Sequence, residues 1–271
     1  MIKFSFEVPI AYMEKFDEVN DYHFILAHML LKDRNYAAFY KKATKYKILD
    51  NGCAELGKSI DTPKLINLAK DFKVDVLVLP DVWMDGKKTY EQSIEALKTI
   101  YEKYPVMFKK LKFMFVPQGK SYKEFNDCLD KFTDASFKYG WYHNIILGLP
   151  YLTCAKIMNL YSPTNRDDDV TNSRIHLIQK IKYAPHKIHL LGAGFNFSSE
   201  ISFMRHDELV VTADTSTPFI LAKEGTKLGK HGLFGRKIGK AGTLDFYEKY
   251  DEELLRLSIY NAKVLKAFAK L

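Results

Sequence analysis

Short apolar runs that end in a polar residue recur along this chain. Ile48-Leu49 ends in Asp50, Val78-Leu79-Pro80 in Asp81, Phe115-Val116-Pro117 in Gln118, and Thr212-Ala213 in Asp214. Parallel strands buried on both faces read as continuous apolar segments rather than as alternating ones. In a closed barrel their carboxyl ends converge on one mouth, so polar groups on four such ends suggest a single site. The pattern predicts strands at Lys3-Val8, Tyr22-Ala27, Tyr46-Asp50, Asp75-Pro80, Leu111-Pro117, Asn144-Leu149, Lys187-Gly192 and Glu208-Ala213.

Helical segments fall between most of these strands. The clearest is Thr62-Phe72, where Asp61 or Thr62 is a cap, Pro63 suits the first turn, and Leu65, Ile66, Leu68 and Ala69 form an apolar stripe. Tyr90-Tyr104 and Tyr122-Phe132 behave similarly, and Asp245-Leu271 reads as an amphipathic helix for a barrel wall. Strand and helix alternate as in a single α/β (β/α)8 TIM barrel covering residues 1–271. A doubly wound sheet would normally place a glycine-rich loop after its first strand, and none is present there.

Length agrees with one barrel, since the chain has 271 residues and is 47% hydrophobic. No apolar stretch approaches the ~20 residues of a membrane span, and Met1-Ile2-Lys3-Phe4-Ser5-Phe6-Glu7 reads as a strand rather than a leader. A cytoplasmic location with no membrane partner is expected. Cys53, Cys128 and Cys154 are odd in number and far apart, which suits reduced, buried thiols rather than disulfides or a Cys-x-x-Cys zinc site. The eight histidines show no metal-binding spacing on one element. No metal or other cofactor is expected.

The formal charge of +8 favours polyanionic partners. Its distribution is more informative. Lys227, Lys230, His231, Arg236, Lys237 and Lys240 crowd a glycine-rich segment, 224–242, after the last strand. That segment reads either as a basic loop gripping nucleic-acid phosphates or as a solvated lysine surface. Arg166-Asp167-Asp168-Asp169, in a second long insertion, reads as a water-facing or capping cluster before a helix near Arg174 rather than a metal site. Gly192-Ala193-Gly194 follows the seventh strand, where such barrels often bind phosphate, although a tight turn explains it equally. No lysine ends a strand as a Schiff-base candidate.

Carboxylate chemistry remains, with Asp50 and Asp214 as the natural pair. One ionised aspartate can attack an anomeric carbon while the other manages a proton. Each also has a local structural explanation: Asp50-Asn51-Gly52 is a good turn, and Asp214-Thr215-Ser216-Thr217-Pro218 a good helix start.

In order along the chain, these motifs resemble those of the tRNA-guanine transglycosylase superfamily, within it the shorter phage and bacterial DNA-modifying branch that inserts 7-deazaguanine bases. The resemblance spans roughly Lys47 to Gly242. Ile48-Leu49-Asp50-Asn51-Gly52 is similar to the family's Thr-Asp-Ser-Gly-Gly-Phe-Gln segment, Val78-Leu79-Pro80-Asp81 to Ala-Phe-Asp-Glu, and Val116-Pro117-Gln118-Gly119 to Val-Gln-Gly-Gly. Leu147-Gly148-Leu149 resembles Gly-Gly-Leu, Leu190-Leu191-Gly192-Ala193-Gly194 resembles Leu-Met-Gly-Val-Gly, and Val211-Thr212-Ala213-Asp214 falls at the nucleophile.

The resemblance implies that Asp214 attacks C1′ and that Asp50 shuttles the proton of the base. It implies that Asp81 reads the guanine N1 and amino edge, that Gln118 with Gly148 and Leu149 recognises O6, and that Leu191 covers a face of the base. The implied partners are DNA and a free 7-deazaguanine of the preQ0 type, with helper proteins or a homodimer as further partners, in the host cytoplasm if the chain is phage-encoded. The family's Cys-x-Cys-x-x-Cys zinc segment is missing and its stacking phenylalanine is replaced within Gly52-Cys53-Ala54-Glu55, leaving Trp83 and Phe195 as aromatics near candidate loops. The same exchange on tRNA, a noncatalytic nucleic-acid-binding subunit and a retaining glycosidase are the alternatives.

Overall fold

The computed structural model describes residues 1–157, 173–179, 181, 186–192, 197–229 and 244–270. The eight predicted strands form as β1 (Lys3–Phe6), β2 (His23–Leu26), β3 (Lys47–Asp50), β4 (Val76–Val78), β5 (Lys112–Phe115), β6 (Ile145–Pro150), β7 (Lys187–Leu191) and β8 (Val210–Thr215). They pair in parallel in the order β1-β8-β7-β6-β5-β4-β3-β2. The result is a nearly closed eight-stranded barrel with helices between the strands, a (β/α)8 fold.

The seam between β1 and β2 is held largely by side chains. Asn20 Oδ1 accepts from the Phe6 N–H at 2.7 Å, Asp21 Oδ2 from the Phe4 N–H at 2.9 Å, and Ser5 Oγ from the Phe24 N–H at 2.8 Å. These three oxygens satisfy strand N–H groups that would otherwise be buried without partners at the join. Burying those polar groups costs little here because each is paired.

The helices are α1 (Met13–Asp17), α2 (Ala27–Lys32), α3 (Arg34–Lys42), α4 (Cys53–Leu56), α5 (Thr62–Asp71), α6 (Gly86–Lys103) and α7 (Pro105–Lys110). There follow α8 (Tyr122–Lys138), α9 (Tyr151–Ile157), α10 (173–179), α11 (Phe197–Met204), α12 (Thr217–Lys223) and α13 (Glu252–Phe268). In α5 the buried residues are Leu65, Ile66, Leu68 and Ala69, the predicted stripe, with Pro63 in the first turn; Asp61 makes no side-chain cap bond. The last helix begins later than predicted. Asp251 Oδ1 caps it by accepting from the Leu254 N–H at 2.8 Å, while Asp245 closes a separate turn onto the Tyr247 N–H at 2.9 Å. Two aspartates compete to start the helix, and the one followed by Glu252-Glu253 in the first turn prevails.

Two details of the barrel position its mouth. Gly148 in β6 leaves no space for a Cβ, which would meet Leu191 Cδ1 at 2.8 Å, Met114 Sδ at 2.9 Å and Val116 Cγ2 at 3.0 Å. Those larger side chains fill the barrel interior because this position is empty. Between β7 and β8 the register shifts: Ile188 pairs with Val210 but His189 with Thr212. One extra residue in β8 re-aims the strand end, a bulge next to the mouth that brings His189 alongside Thr212. Cys53, Cys128 and Cys154 are free and buried, as expected. No helix among the described residues is long and apolar enough to cross a membrane.

Candidate active site

A cavity of about 590 Å³ opens at the carboxyl ends of the strands, within the roughly 300–1,000 Å³ of small-ligand sites. Asp50, Asp81, Gln118, Leu191 and Asp214, expected from four strand ends and the β7 loop, all line it. Glu7, just beyond β1, and Glu55, in α4, line it as well. Among the described residues its lining contains five carboxyl groups and no lysine or arginine.

Asp214 ends the inward-facing row of β8. Its Oδ1 lies 2.9 Å from His189 Nε2 and accepts from the Gly192 N–H at 3.1 Å. The other ring nitrogen, His189 Nδ1, lies 2.8 Å from Thr212 Oγ1. The helix-start explanation of Asp214 fails in a specific way. α12 does begin at Thr217 with Pro218 in its first turn, but the Thr217 N–H is bonded by Thr215 Oγ1 at 3.0 Å. Asp214 is therefore free of capping and faces the cavity.

Asp50 serves both its turn and the cavity. Its Oδ2 accepts from the Gly52 N–H at 2.7 Å, with Gly52 in the left-handed region at φ 79°. Burial pushes its carboxyl up to about 8, and the nearby Glu55 carboxylate adds to the shift. Glu7 is raised well above the ordinary carboxylate range, first by burial and then by Asp214, Glu55 and Asp50. Glu55 is raised by burial and by Asp214. Asp50, raised to about 8, keeps its proton at neutral pH, the condition under which a carboxylic acid can act as a proton donor.

Across the cavity Asp81 is fixed from two sides. Asn51 Nδ2 donates to its Oδ1 at 2.8 Å and Gln118 Nε2 to its Oδ2 at 2.7 Å. Burial raises the Asp81 carboxyl, and these two hydrogen bonds oppose the rise. Gln118 is itself oriented, its Oε1 accepting from the Met84 N–H at 3.3 Å and from the Thr153 hydroxyl at 3.4 Å. The β4 and β5 loops approach so closely that a Cβ on Gly86 would lie 2.6 Å from the Gln118 carbonyl oxygen. Met84, at φ 59°, turns this loop so that Trp83 is 56% exposed at the rim, with Lys156 Nζ 4.4 Å above its ring.

Gly148 and Leu149 are buried in β6 and are not among the lining residues. The Leu149 carbonyl is held by Arg174 at 3.2 Å. The same guanidinium donates to the Leu191 and Gly192 carbonyls at 3.2 and 2.9 Å, and is paired with Glu200 at 2.6 Å. This buried clamp ties β6 to the β7 loop and so sets the Gly192 N–H that meets Asp214. Lys227 is exposed, its ammonium 4.6 Å over the Tyr260 ring. Lys230, His231, Arg236, Lys237 and Lys240 lie outside the described residues, as do Ala193, Gly194, Phe195 and Arg166-Asp169.

Sequence reasoning missed Glu7, Asn51, Glu55, Thr153, His189 and the Arg174–Glu200 pair as parts of this neighbourhood. Glu7 carried the same signal as its counterparts, a polar residue closing the run from Lys3, but stood inside the predicted strand. His189 had no local signal, since its partner lies 25 residues away across a bulge.

Fold and site together define a (β/α)8 barrel with a carboxyl-lined mouth. No protein-family model matches the chain, and no curated protein does. Among solved structures it is similar to a HpcH/Hpal aldolase/citrate lyase family protein from Burkholderia cenocepacia J2315, at 9% identity and a TM-score of 0.49, over 83% of this chain and 92% of that one. A likeness at that level assigns no chemistry to this mouth.

Proposed function

We propose that this chain is a guanine base-exchange transglycosylase acting on DNA, with Asp214 as nucleophile and Asp50 as general acid and base. The observation that carries the reading is Asp214 facing a cavity with only Oδ1 tied to described residues, opposite the pre-oriented Asp81–Gln118 pair. A site for the guanine edge needs an acceptor for N1–H and the amino group and a donor for O6. Asp81 supplies the acceptor, and the second amide hydrogen of Gln118 supplies the donor.

The reaction is a double displacement. Asp214 attacks C1′ as the C1′–N9 bond breaks, and guanine leaves with the bonding pair and takes a proton from Asp50. A carboxyl raised to about 8 is protonated at neutral pH and so available to donate. The Asp50 carboxylate then removes the N9 proton of an incoming 7-deazaguanine of the preQ0 type, whose nitrogen attacks C1′ and releases Asp214. Reaching C1′ in a duplex requires extrusion of the nucleotide, and phosphate contacts from the 224–242 segment would offset that cost. Trp83, exposed at the rim, takes the place of the family's stacking aromatic in this reading.

The test is incubation with guanine-labelled duplex DNA, single-stranded DNA or tRNA and a panel of 7-deazaguanines, followed by measurement of released guanine and nucleoside mass analysis. Exchange on DNA alone is expected. Exchange on tRNA alone would move the polymer assignment, and binding without exchange on any polymer would favour a noncatalytic subunit.

A further inference from the structure

We propose that His189, held by Thr212, is a positioning residue that fixes the Asp214 carboxylate so that Oδ2 is the attacking oxygen. The inference rests on the reading of Asp214 as the nucleophile. Its geometry is independent of which base is exchanged.

His189 cannot meet a substrate itself. It is fully buried, and both ring nitrogens are engaged, Nε2 with Asp214 Oδ1 at 2.9 Å and Nδ1 with Thr212 Oγ1 at 2.8 Å. The ring plane is fixed by packing as well. Phe24 stacks on it at 5.4 Å and 8° between planes, and Tyr22 meets it edge-on at 6.3 Å. The imidazole therefore has one orientation and no path to the cavity.

Hydrogen-bond bookkeeping fixes the tautomer. An attacking carboxylate is ionised and only accepts, so Nε2 carries the hydrogen that joins it to Oδ1. In the neutral imidazole Nδ1 then accepts, and the Thr212 hydroxyl donates to it. The Gly192 N–H adds a second donor to the same oxygen at 3.1 Å. Both donors converge on Oδ1, and among the described residues none reaches Oδ2. Attack requires the nucleophile within about 3–3.5 Å of C1′ and aligned, so a carboxylate free to rotate would lose much of its reactivity. The bulge between β7 and β8 is what creates the pairing: it sets His189 beside Thr212, two residues before Asp214 on the same face.

The experiment pairs kinetics with a direct view of the ring. In His189→Leu the exchange kcat should fall about 10²-fold, the scale of losing one preorganised donor, with KM for the free base within about twofold. His189→Gln, which can still present an N–H, should recover about tenfold of that loss, and Thr212→Val should lose about tenfold without touching Asp214. In wild-type protein with labelled histidine, NMR should give a slowly exchanging Nε2–H for His189 that disappears in Asp214→Ala.

Equal losses in the Leu and Gln variants, or losses confined to KM, would overturn the positioning role. An Nε2 without hydrogen, or an Nε2–H signal unchanged in Asp214→Ala, would overturn the pairing even if His189→Leu fails to fold. Absence of exchange by the wild-type protein would sink the transglycosylase reading instead, and the NMR arm would still decide whether the pair exists.

Discussion

At the amino-terminal end of the barrel, aspartates face cations or backbone N–H groups. Asp21 meets Lys266 Nζ at 2.7 Å and the Phe4 N–H at 2.9 Å, Asp17 lies 3.4 Å from Lys45 Nζ, and Asp75 accepts from the Lys47 N–H at 2.7 Å. At the carboxyl end, Glu7, Asp50, Glu55, Asp81 and Asp214 share one cavity whose described lining has no lysine or arginine. The first arrangement lowers the energy of the folded chain. The second raises it at Glu7, Asp50 and Glu55, where burial and neighbouring carboxylates push the carboxyl groups up with no lysine or arginine in the described lining to offset them, while Asp81 and Asp214 are held by hydrogen bonds. A folded protein keeps such a destabilising cluster where chemistry needs it. The division matches the general one in these barrels, stability at one end and reactivity at the other.

The largest effect that separates the two ends should come from Asp214→Asn. Exchange should fall by about 10³-fold or more, as for loss of a nucleophile, while Tm stays close to that of the wild type and DNA still binds in a gel-shift assay. Full exchange by this variant would remove the nucleophile from the account. Next is Asp81→Asn, which disrupts the acceptor for the guanine edge. A mispaired group in a buried pocket costs about 1–3 kcal/mol, or roughly 5- to 150-fold. That loss should appear in KM for the incoming base, and an unchanged KM would disconnect Asp81 from recognition.

The amino-terminal end should behave in the opposite way. Asp21→Ala leaves the Phe4 N–H at the seam without its side-chain partner and Lys266 without its carboxylate. A loss of about 1–3 kcal/mol is expected, with Tm falling about 2–4 °C per kcal/mol and exchange kinetics unaltered. A drop in kcat with no drop in Tm would contradict the division.

The two ends should also differ in their pH dependence. Unfolded, Asp50 ionises near the ordinary 3.8; folded, it does so only at about 8. Between those values the folded state binds more protons, so stability falls as pH rises through the window and levels off above it. Asp50→Asn removes that slope. Its Tm should exceed that of the wild type above pH ~8 and match it below pH ~4. Thermal scans across pH would detect the divergence, and parallel curves would show that Asp50 is not strained.

The architecture was legible because parallel barrel strands must be apolar on both faces: Ile48-Leu49, Val76-Leu77-Val78 and Phe113-Met114-Phe115 are nearly inaccessible to solvent. Their polar ends were legible for the same reason, since an aspartate closing such a run leaves the core. Helix boundaries were less so, as Asp245 and Asp251 both offer a start and only the folded chain chooses. The electrostatics of the mouth could not be read locally. That Glu7, Glu55 and Asp214 would crowd depends on β1 lying against β8 and α4 turning back over the cavity. His189 depends on a one-residue register shift, which no propensity encodes.

The most direct test is to trap the covalent intermediate. Protein and a guanine-containing duplex, mixed without any incoming base and then denatured, should give a protein–DNA adduct with one guanine released per adduct. Peptide mass analysis should place the bond on Asp214, and Asp214→Asn should form none. Base exchange by the wild-type protein with no adduct, or an adduct on another residue, would contradict the account.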